Sequence, residues 1–143
     1  MDEKIINQLR LLKEYIEILL RIGKTDREAY LQDKILIGSA ERYLQLAIET
    51  CLNIGNRIAS IEQINTKIKP PETYSDIFEN LYLLKLIDKD FSADLKNMAG
   101  FRNRLVHMYW DLDNSLVYDI IQNRLGSFEK FILIISGYLK TKK

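Results

Sequence analysis

The sequence is poor in the residues that make disulfides, metal sites and turns. Its 143 residues include one cysteine, one histidine, two prolines and six glycines. A single cysteine excludes an intrachain disulfide and a cysteine-based zinc site, so we expect Cys51 to be a buried structural thiol. The scarcity of glycine and proline is typical of helical proteins.

Long apolar runs are also missing. No stretch of about 18 apolar residues occurs, so the sequence predicts no membrane span. The opening residues Asp2, Glu3 and Lys4 lead into a mixed segment that does not resemble a signal peptide. We therefore expect a cytoplasmic protein without a membrane partner.

An excess of one charge is absent as well. The chain has 21 Lys and Arg against 20 Asp and Glu, a formal net charge of +1. No overall positive field marks it as a nucleic-acid-binding protein, so RNA binding would require a local patch. Arg104 is our main candidate for such contacts, and the other candidates are Arg102, Arg124, Lys67 and Lys69. The alternative for most of these residues is that they are ordinary solvated charges.

Apolar residues at helical spacing fill most of the chain. Positions 5, 9, 12, 16 and 19 predict a first helix over residues 2–22. A long second helix is predicted from about 26 to 61, with a break near Gly55 as the alternative. Gly38 and Gly55 lie inside it, and we expect both at close contacts between helices.

The later part of the chain predicts three further helices. Consecutive prolines at 70 and 71 predict a loop, and residues 73–76 form a capping signal for a third helix ending near 87. A fourth helix is predicted over 92–109 and a last one from about 114 to 139. The predicted fold is one all-α domain over residues 1–143, an up-and-down bundle of about five helices.

Residues 98–110 carry the chemistry, in the order Met-Ala-Gly-Phe-Arg-Asn-Arg-Leu-Val-His-Met-Tyr-Trp. They include the only histidine and the only tryptophan of the chain. Histidine has an unperturbed pKa near neutrality, which makes His107 the candidate general acid or base. A structural role for His107 is the alternative that the residues alone leave open.

Helical spacing divides this group between two faces. At about 100° per residue, Asn103 and His107 share a face, while Arg102 and Tyr109 nearly align on a face roughly 140° away. One helix therefore presents an incomplete set to a small substrate. A second copy of the helix, related by a two-fold axis, would complete the site.

The spacing of these residues resembles a known signature. Arg102-Asn103, three further residues and His107-Met108-Tyr109 resemble the R-x4-H-x-Y motif of the HEPN superfamily, and the longer run resembles its HepT-like toxin branch. The resemblance implies a helical homodimer that cleaves cellular RNA, with tRNA as one candidate, without a metal or other cofactor. Arg102 and His107 are then the catalytic residues, with Asn103 in a supporting role.

The resemblance also implies a protein partner. In HepT-like systems of the type VII toxin–antitoxin kind, an MntA-like nucleotidyltransferase antitoxin attaches AMP to the motif tyrosine, which corresponds to Tyr109. A non-catalytic HEPN module that binds nucleotide or RNA, or serves as a scaffold for that partner, is the alternative function. Asp111 and Asp113 beside the motif are predicted to cap a helix and not to bind magnesium.

Overall fold

The fold is built from helices over the whole described part of the chain. The computed structural model describes residues 2–142, apart from the side chain of Tyr109. Within that range there are seven α-helices, one turn of 3-10 helix and no strand. They are α1 Glu3–Ile22, α2 Arg27–Gln32, α3 Lys34–Glu62, α4 Tyr74–Leu83, α5 Lys89–His107, the 3-10 turn Tyr109–Asp111, α6 Asn114–Asn123 and α7 Leu125–Thr141. The all-α prediction is confirmed, although the expected number of about five helices was too low.

Helices α1 and α3 form the central pair of the bundle. The apolar stripe of α1 is buried along its length, as predicted from its spacing. Asp2 caps the start of α1 by accepting a hydrogen bond from Ile5 N at 3.0 Å. Its other carboxylate oxygen lies 2.7 Å from Nη2 of Arg57 in α3. One carboxylate therefore begins α1 and ties it to α3.

The prediction of one continuous second helix is wrong for its first turns. It is interrupted at Asp33, which has φ −107° and ψ 98° and separates α2 from α3. The Asp33 carboxylate accepts hydrogen bonds from the backbone N–H groups of Ile35 and Leu36. This side-chain cap begins a new helix within an otherwise continuous pattern. No break occurs at Gly55, which lies within α3.

The two glycines of α3 differ in their surroundings. A Cβ built at Gly55 would lie 2.7 Å from Cγ2 of Ile77 in α4, so the predicted close helix contact is confirmed there. A Cβ at Gly38 would meet no atom within 4 Å, so the same prediction is wrong for Gly38. Gly55 is what allows α4 to approach α3.

Helix α4 begins as predicted and ends early. Thr73 and Asp76 form a reciprocal capping box at its start. The helix stops at Leu83 and not near residue 87, because Lys85 adopts φ 63°. Leu86 N then donates to Leu81 O at 3.0 Å and Lys85 N donates to Tyr82 O at 2.9 Å, which is a Schellman ending.

The bounds of the motif helix and of the last helix also differ from the predicted ones. Asp88 caps α5, so that it begins at Lys89, three residues before the predicted start, and it ends at His107. The last predicted helix is divided into α6 and α7 at Arg124, which has φ −120° and ψ −1°. Gly126 and Ser127 follow directly, and such small residues are common at helix bends.

The core contains aromatic side chains from several helices. Phe78 of α4 and Phe131 of α7 meet edge to face, with ring centroids 6.4 Å apart. Cys51 is fully buried in α3, and burial raises the pKa of its thiol, which confirms a structural thiol. In residues 2–142, no helix combines the length and hydropathy that a transmembrane segment requires.

Candidate active site

The motif occupies the C-terminal half of α5, which packs against α3 and α4. Leu95, Ala99 and Leu105 are buried along one side of α5 and fix its position. The polar motif residues project from other sides of the same helix. Their surroundings differ strongly from one residue to the next.

Arg102 lies between α3 and α4. Its side chain is only 15% exposed, and Nη2 lies 3.5 Å from Oε1 of Glu49 in α3. The guanidinium carbon lies 5.0 Å from the centroid of the Tyr74 ring in α4, which is a cation–π contact. Glu49 itself accepts a hydrogen bond from Nε2 of Gln45 at 2.9 Å. A carboxylate and an aromatic ring thus hold the guanidinium in place.

The Arg102 guanidinium keeps unused donor capacity. Its buried Nε has no hydrogen-bond partner among the described residues. Nη1 donates to Oδ1 of Asn103 at 3.3 Å, a long and exposed bond. The Nη1 side of the guanidinium, where the bond to Asn103 is exposed, is suited to an anionic oxygen that arrives from solution.

Asn103 is exposed and bonded to Arg102, as described above. The sequence left two roles for Asn103, orienting the imidazole of His107 or binding substrate. Its hydrogen bond runs to the preceding arginine, and its side chain borders a surface pocket of about 500 Å³. Asn103 therefore lies beside the arginine, and its supporting role stays a prediction.

His107 is the last residue of α5 and is exposed. Within the described part of the chain its imidazole makes no hydrogen bond. Met108 and Trp110 follow it on the surface, with 46% and 72% of their area exposed. The imidazole is therefore accessible to a substrate from solution.

Tyr109 does not continue the helix. The predicted alignment of Arg102 with Tyr109 assumed seven residues of unbroken α5, but Met108 leaves helical geometry with φ −134° and ψ 32°. Tyr109 begins the 3-10 turn, so its helical alignment with Arg102 was wrong. The side chain of Tyr109 lies outside the described part of the structure, and its assignment as the AMPylation site stays a prediction.

The basic residues proposed for RNA binding do not share one surface. Arg104 is exposed, with its guanidinium carbon 5.7 Å from the Phe101 ring centroid. Arg124 and Phe101 both line a cavity of about 230 Å³ between α3, α5, α6 and α7. Lys67 lines a different pocket with Lys142 at the ends of α3 and α7.

One of the two acidic residues after the motif, Asp113, caps a helix. Asp113 accepts hydrogen bonds from the hydroxyl and backbone N–H of Ser115, at 2.7 and 2.9 Å, and caps α6. These hydrogen bonds, the hydroxyl bond above all, lower the pKa of the Asp113 carboxyl. The capping prediction is confirmed for Asp113. Among the described residues, no group of three or more His, Cys, Asp or Glu side chains is placed to hold a metal ion.

Sequence reasoning missed the residues that hold Arg102. Gln45 and Glu49 stand four residues apart on α3, a spacing that indicates a shared face. That spacing does not reveal which distant side chain the pair contacts. Tyr74 falls within the predicted capping signal of residues 73–76, which gives no indication of a contact with Arg102.

A helical bundle whose fifth α-helix carries an arginine, and an exposed histidine five positions later, defines a protein of the HEPN class. The chain belongs to the ribonuclease HepT-like family, whose model matches residues 11–135.

Individual relatives agree with this membership. The chain is 33% identical over 137 residues to the mRNA nuclease HepT of Shewanella oneidensis, covering 96% of this chain and 99% of that protein. It is 27% identical to the tRNA nuclease HepT of Aphanizomenon flos-aquae, covering 94% and 88% of the two chains.

A solved structure shares the fold at similar identity. It is a tri-AMPylated HEPN toxin of Shewanella oneidensis in complex with an MNT antitoxin. The two structures superpose with a TM-score of 0.86 at 32% identity, covering 96% of this chain and 99% of that one.

Proposed function

We propose that this protein is a toxin endoribonuclease that cleaves RNA without a metal ion, using Arg102 and His107. The observation that carries the proposal is the pairing of a firmly held guanidinium with an accessible imidazole on one helix of a HepT-like chain. The relatives named above are nucleases of mRNA and of tRNA, so the substrate class is RNA, and tRNA is one candidate.

The proposed reaction needs a base and positive charge. The 2′-hydroxyl of the substrate attacks the adjacent phosphorus, and His107 accepts its proton. The bond from phosphorus to the 5′ oxygen breaks, the leaving oxygen takes up a proton, and a 2′,3′-cyclic phosphate remains. Arg102 donates to the non-bridging oxygens as negative charge grows on them. Both functions come from side chains, which supports the proposal of metal independence.

Two copies of the chain form the proposed active species. Arg102 is packed between α3 and α4, whereas His107 is exposed at the end of α5, so one copy offers them from different sides of a helix. A two-fold axis beside the motif would bring a second α5 to the same cleft. The exposed Trp110 next to the motif supplies apolar surface for such an interface.

The proposed antitoxin is an MntA-like nucleotidyltransferase that modifies Tyr109. The support is the solved HEPN toxin that carries AMP groups in complex with its MNT antitoxin. A phosphate on Tyr109 would add negative charge near the motif and would repel the RNA backbone from Arg102. RNA and this partner make the cytoplasm the expected place of action.

RNA cleavage by purified variants tests the proposed function. We expect His107→Ala to lose cleavage by about 100-fold or more while its melting temperature is retained, because the removed imidazole is exposed. Arg102→Lys keeps the charge but loses the fork of donors, so a large loss is expected there too. Arg10→Ala, an exposed change on α1, is the matched control.

The products and the effect of a chelator complete the test. Cleavage should persist in excess EDTA and leave 2′,3′-cyclic phosphate or 3′-phosphate ends. Loss of cleavage in EDTA with rescue by magnesium would contradict the metal-independent mechanism. Cleavage by His107→Ala at the wild-type rate would remove that residue from the mechanism. RNA binding without cleavage by the wild-type protein would favour the non-catalytic module.

A further inference from the structure

A pocket of about 500 Å³ opens directly beside the motif. Its wall is formed by Asn56 of α3, Asn103 of α5 and the segment that begins α4, including Glu72, Thr73 and Tyr74. Three parts of the chain that are distant in sequence therefore meet at one concave surface. The role proposed above for Arg102 and His107 does not use this pocket.

The lining has the chemistry of a site for a planar, polar ring. Asn56 and Asn103 are exposed and contribute carboxamides, each of which offers donors and acceptors for the edge of a base. The ring of Tyr74 is 40% exposed and provides an aromatic surface. Single-stranded RNA is recognised by this combination of stacking on aromatic rings and hydrogen bonds to base edges.

The same pocket is poorly suited to a phosphate group. The backbone N–H groups of Glu72 and Thr73 already donate to Oδ2 of Asp76, at 3.0 and 3.1 Å. Thr73 Oγ1 in turn accepts from Asp76 N at 3.2 Å. The start of α4 therefore has these donors occupied, and Glu72 and Asp76 add negative charge. An uncharged part of a nucleotide fits this surface better than an anion.

The pocket is continuous with the surroundings of Arg102. The guanidinium carbon of Arg102 lies 5.0 Å from the Tyr74 ring centroid, and Nη1 lies 3.3 Å from Oδ1 of Asn103. Tyr74 and Asn103 thus border both the arginine and the pocket. A nucleotide whose phosphate contacts Arg102 would have its base, or the neighbouring base, at the opening of the pocket.

We infer that this pocket is a subsite for a nucleobase with an exocyclic amino group, next to the phosphate at Arg102. The inference rests on the proposed function and adds base selection to it. The carboxylate of Glu72 can accept from the amino group of adenine, cytosine or guanine, and uracil has no such group. Asn56, Tyr74 and Glu72 are then residues that determine specificity.

Binding of non-cleavable RNA tests the subsite without requiring catalysis. The probes are fluorescently labelled 2′-O-methyl trinucleotides of adenosine, cytidine and uridine, titrated into the full chain and followed by anisotropy. We expect the adenosine or cytidine probe to bind about fivefold or more tighter than the uridine probe. Glu72→Ala should bring this ratio close to one, because it removes the carboxylate that accepts from the amino group. Glu28→Ala is the matched control, because Glu28 is an exposed glutamate on α2 and does not line the pocket.

A second pair of variants separates stacking from hydrogen bonding. Tyr74→Phe keeps the ring and should bind the probes as the wild type does, whereas Tyr74→Leu should weaken all of them. Equal binding of all three probes by the wild type, or a ratio unchanged in Glu72→Ala, would overturn the inference. Either result would leave RNA cleavage by Arg102 and His107 standing. Absence of cleavage together with the expected base preference would instead contradict only the proposed function.

Discussion

At the scale of single residues, the Arg102 side chain takes part both in helix packing and in the proposed binding of a phosphate. Its contacts with Glu49 and Tyr74 stabilise the packing of α5, while its exposed Nη1 side leaves donor capacity for a ligand. A phosphate that binds Arg102 has to compete with the carboxylate of Glu49 at 3.5 Å. At this distance the ion pair is not a close hydrogen bond, so a phosphate that accepts two hydrogen bonds from the guanidinium would compete with it.

Tyr30 and Tyr118 form a pair in which only one hydroxyl is satisfied. Their ring centroids lie 5.0 Å apart, and Tyr118 donates to the backbone oxygen of Thr25 at 2.7 Å. The fully buried Tyr30 hydroxyl has no partner among the described residues. Desolvation, with a smaller contribution from Glu41, raises the pKa of Tyr30 to about 12.

We therefore expect the change of Tyr to Phe to affect the free energy of unfolding differently at these two positions. Tyr30→Phe should leave the free energy of unfolding unchanged or raise it by up to about 1 kcal/mol, because an unpaired buried hydroxyl is removed. Tyr118→Phe should lower it by about 1 kcal/mol, because a hydrogen bond is lost. Urea unfolding followed by circular dichroism measures both. A larger loss in Tyr30→Phe than in Tyr118→Phe would contradict this account.

At the scale of elements, helix boundaries could be predicted from the sequence only where a local signal marks the start or end of an apolar pattern. The bounds of α1 were predicted from its apolar spacing, and the start of α4 was predicted from the capping signal at residues 73–76. The break at Asp33 was missed because it interrupts a pattern that continues on both sides. The end of α5 was missed for the same reason, and Tyr109 was placed on a helix that stops two residues earlier.

The motif itself could be found in the sequence, whereas its setting could not. Arg102, Asn103 and His107 are recognisable by type and spacing within six residues. The contacts of Arg102 with Glu49 and Tyr74 join residues of three helices, and helical periodicity carries no information about such pairs. Bundle packing alone brings Asn56 to the same pocket as Asn103.

The glycines of α3 provide a matched test of helix packing. Gly55→Ala should lower the free energy of unfolding by about 1–3 kcal/mol, because its Cβ would lie 2.7 Å from Ile77 Cγ2 and 3.4 Å from Leu81 Cδ1. Gly38→Ala has open space and should raise it by about 0.5–1 kcal/mol through better helix propensity. Thermal or urea unfolding of both variants checks the pair. Equal effects of the same sign would show that α3 and α4 do not pack closely at Gly55.

At the scale of the whole molecule, two ion pairs connect the ends of the chain to α3. Arg57 of α3 lowers the pKa of Asp2, chiefly through the hydrogen bonds to its carboxylate. Lys142, followed by the Tyr138 hydroxyl, lowers the pKa of Glu62 at the end of α3. Both carboxyl groups therefore have a lower pKa in the folded chain than in the unfolded chain.

The lowered pKa values of Asp2 and Glu62 predict how the stability of the fold depends on pH. The stabilisation is complete above the unfolded values of about 4–4.5 and is lost as the pH falls through the lower folded values. Asp2→Asn, which keeps a capping oxygen for α1, and Glu62→Gln should each reduce the loss of stability on acidification below about pH 4.5. Melting temperatures measured from pH 7 to pH 3 test this. An unchanged acid profile in both variants would contradict the role of these pairs.

The proposed dimer makes a quantitative prediction about mixed chains. In the proposed cleft each site takes its histidine from one copy and its arginine from the other. His107→Ala and Arg102→Gln homodimers should then both be inactive. In a heterodimer of the two, one site lacks both groups and the other has both. Half of the dimers in an equal mixture are heterodimers, so roughly one quarter of the wild-type activity should return after subunit exchange.

The mixing experiment is paired with a measurement of assembly. Sedimentation velocity at micromolar concentration should show a dimer for the wild type and for both variants, because neither change removes the exposed apolar surface at Trp110. The two variants incubated separately are the controls, and each should stay inactive because both of its sites lack one of the two groups. No recovery in the mixture, despite demonstrated subunit exchange, would mean that each site takes both residues from one chain or needs both copies of each. A monomer that cleaves RNA at full specific activity would refute the shared cleft altogether.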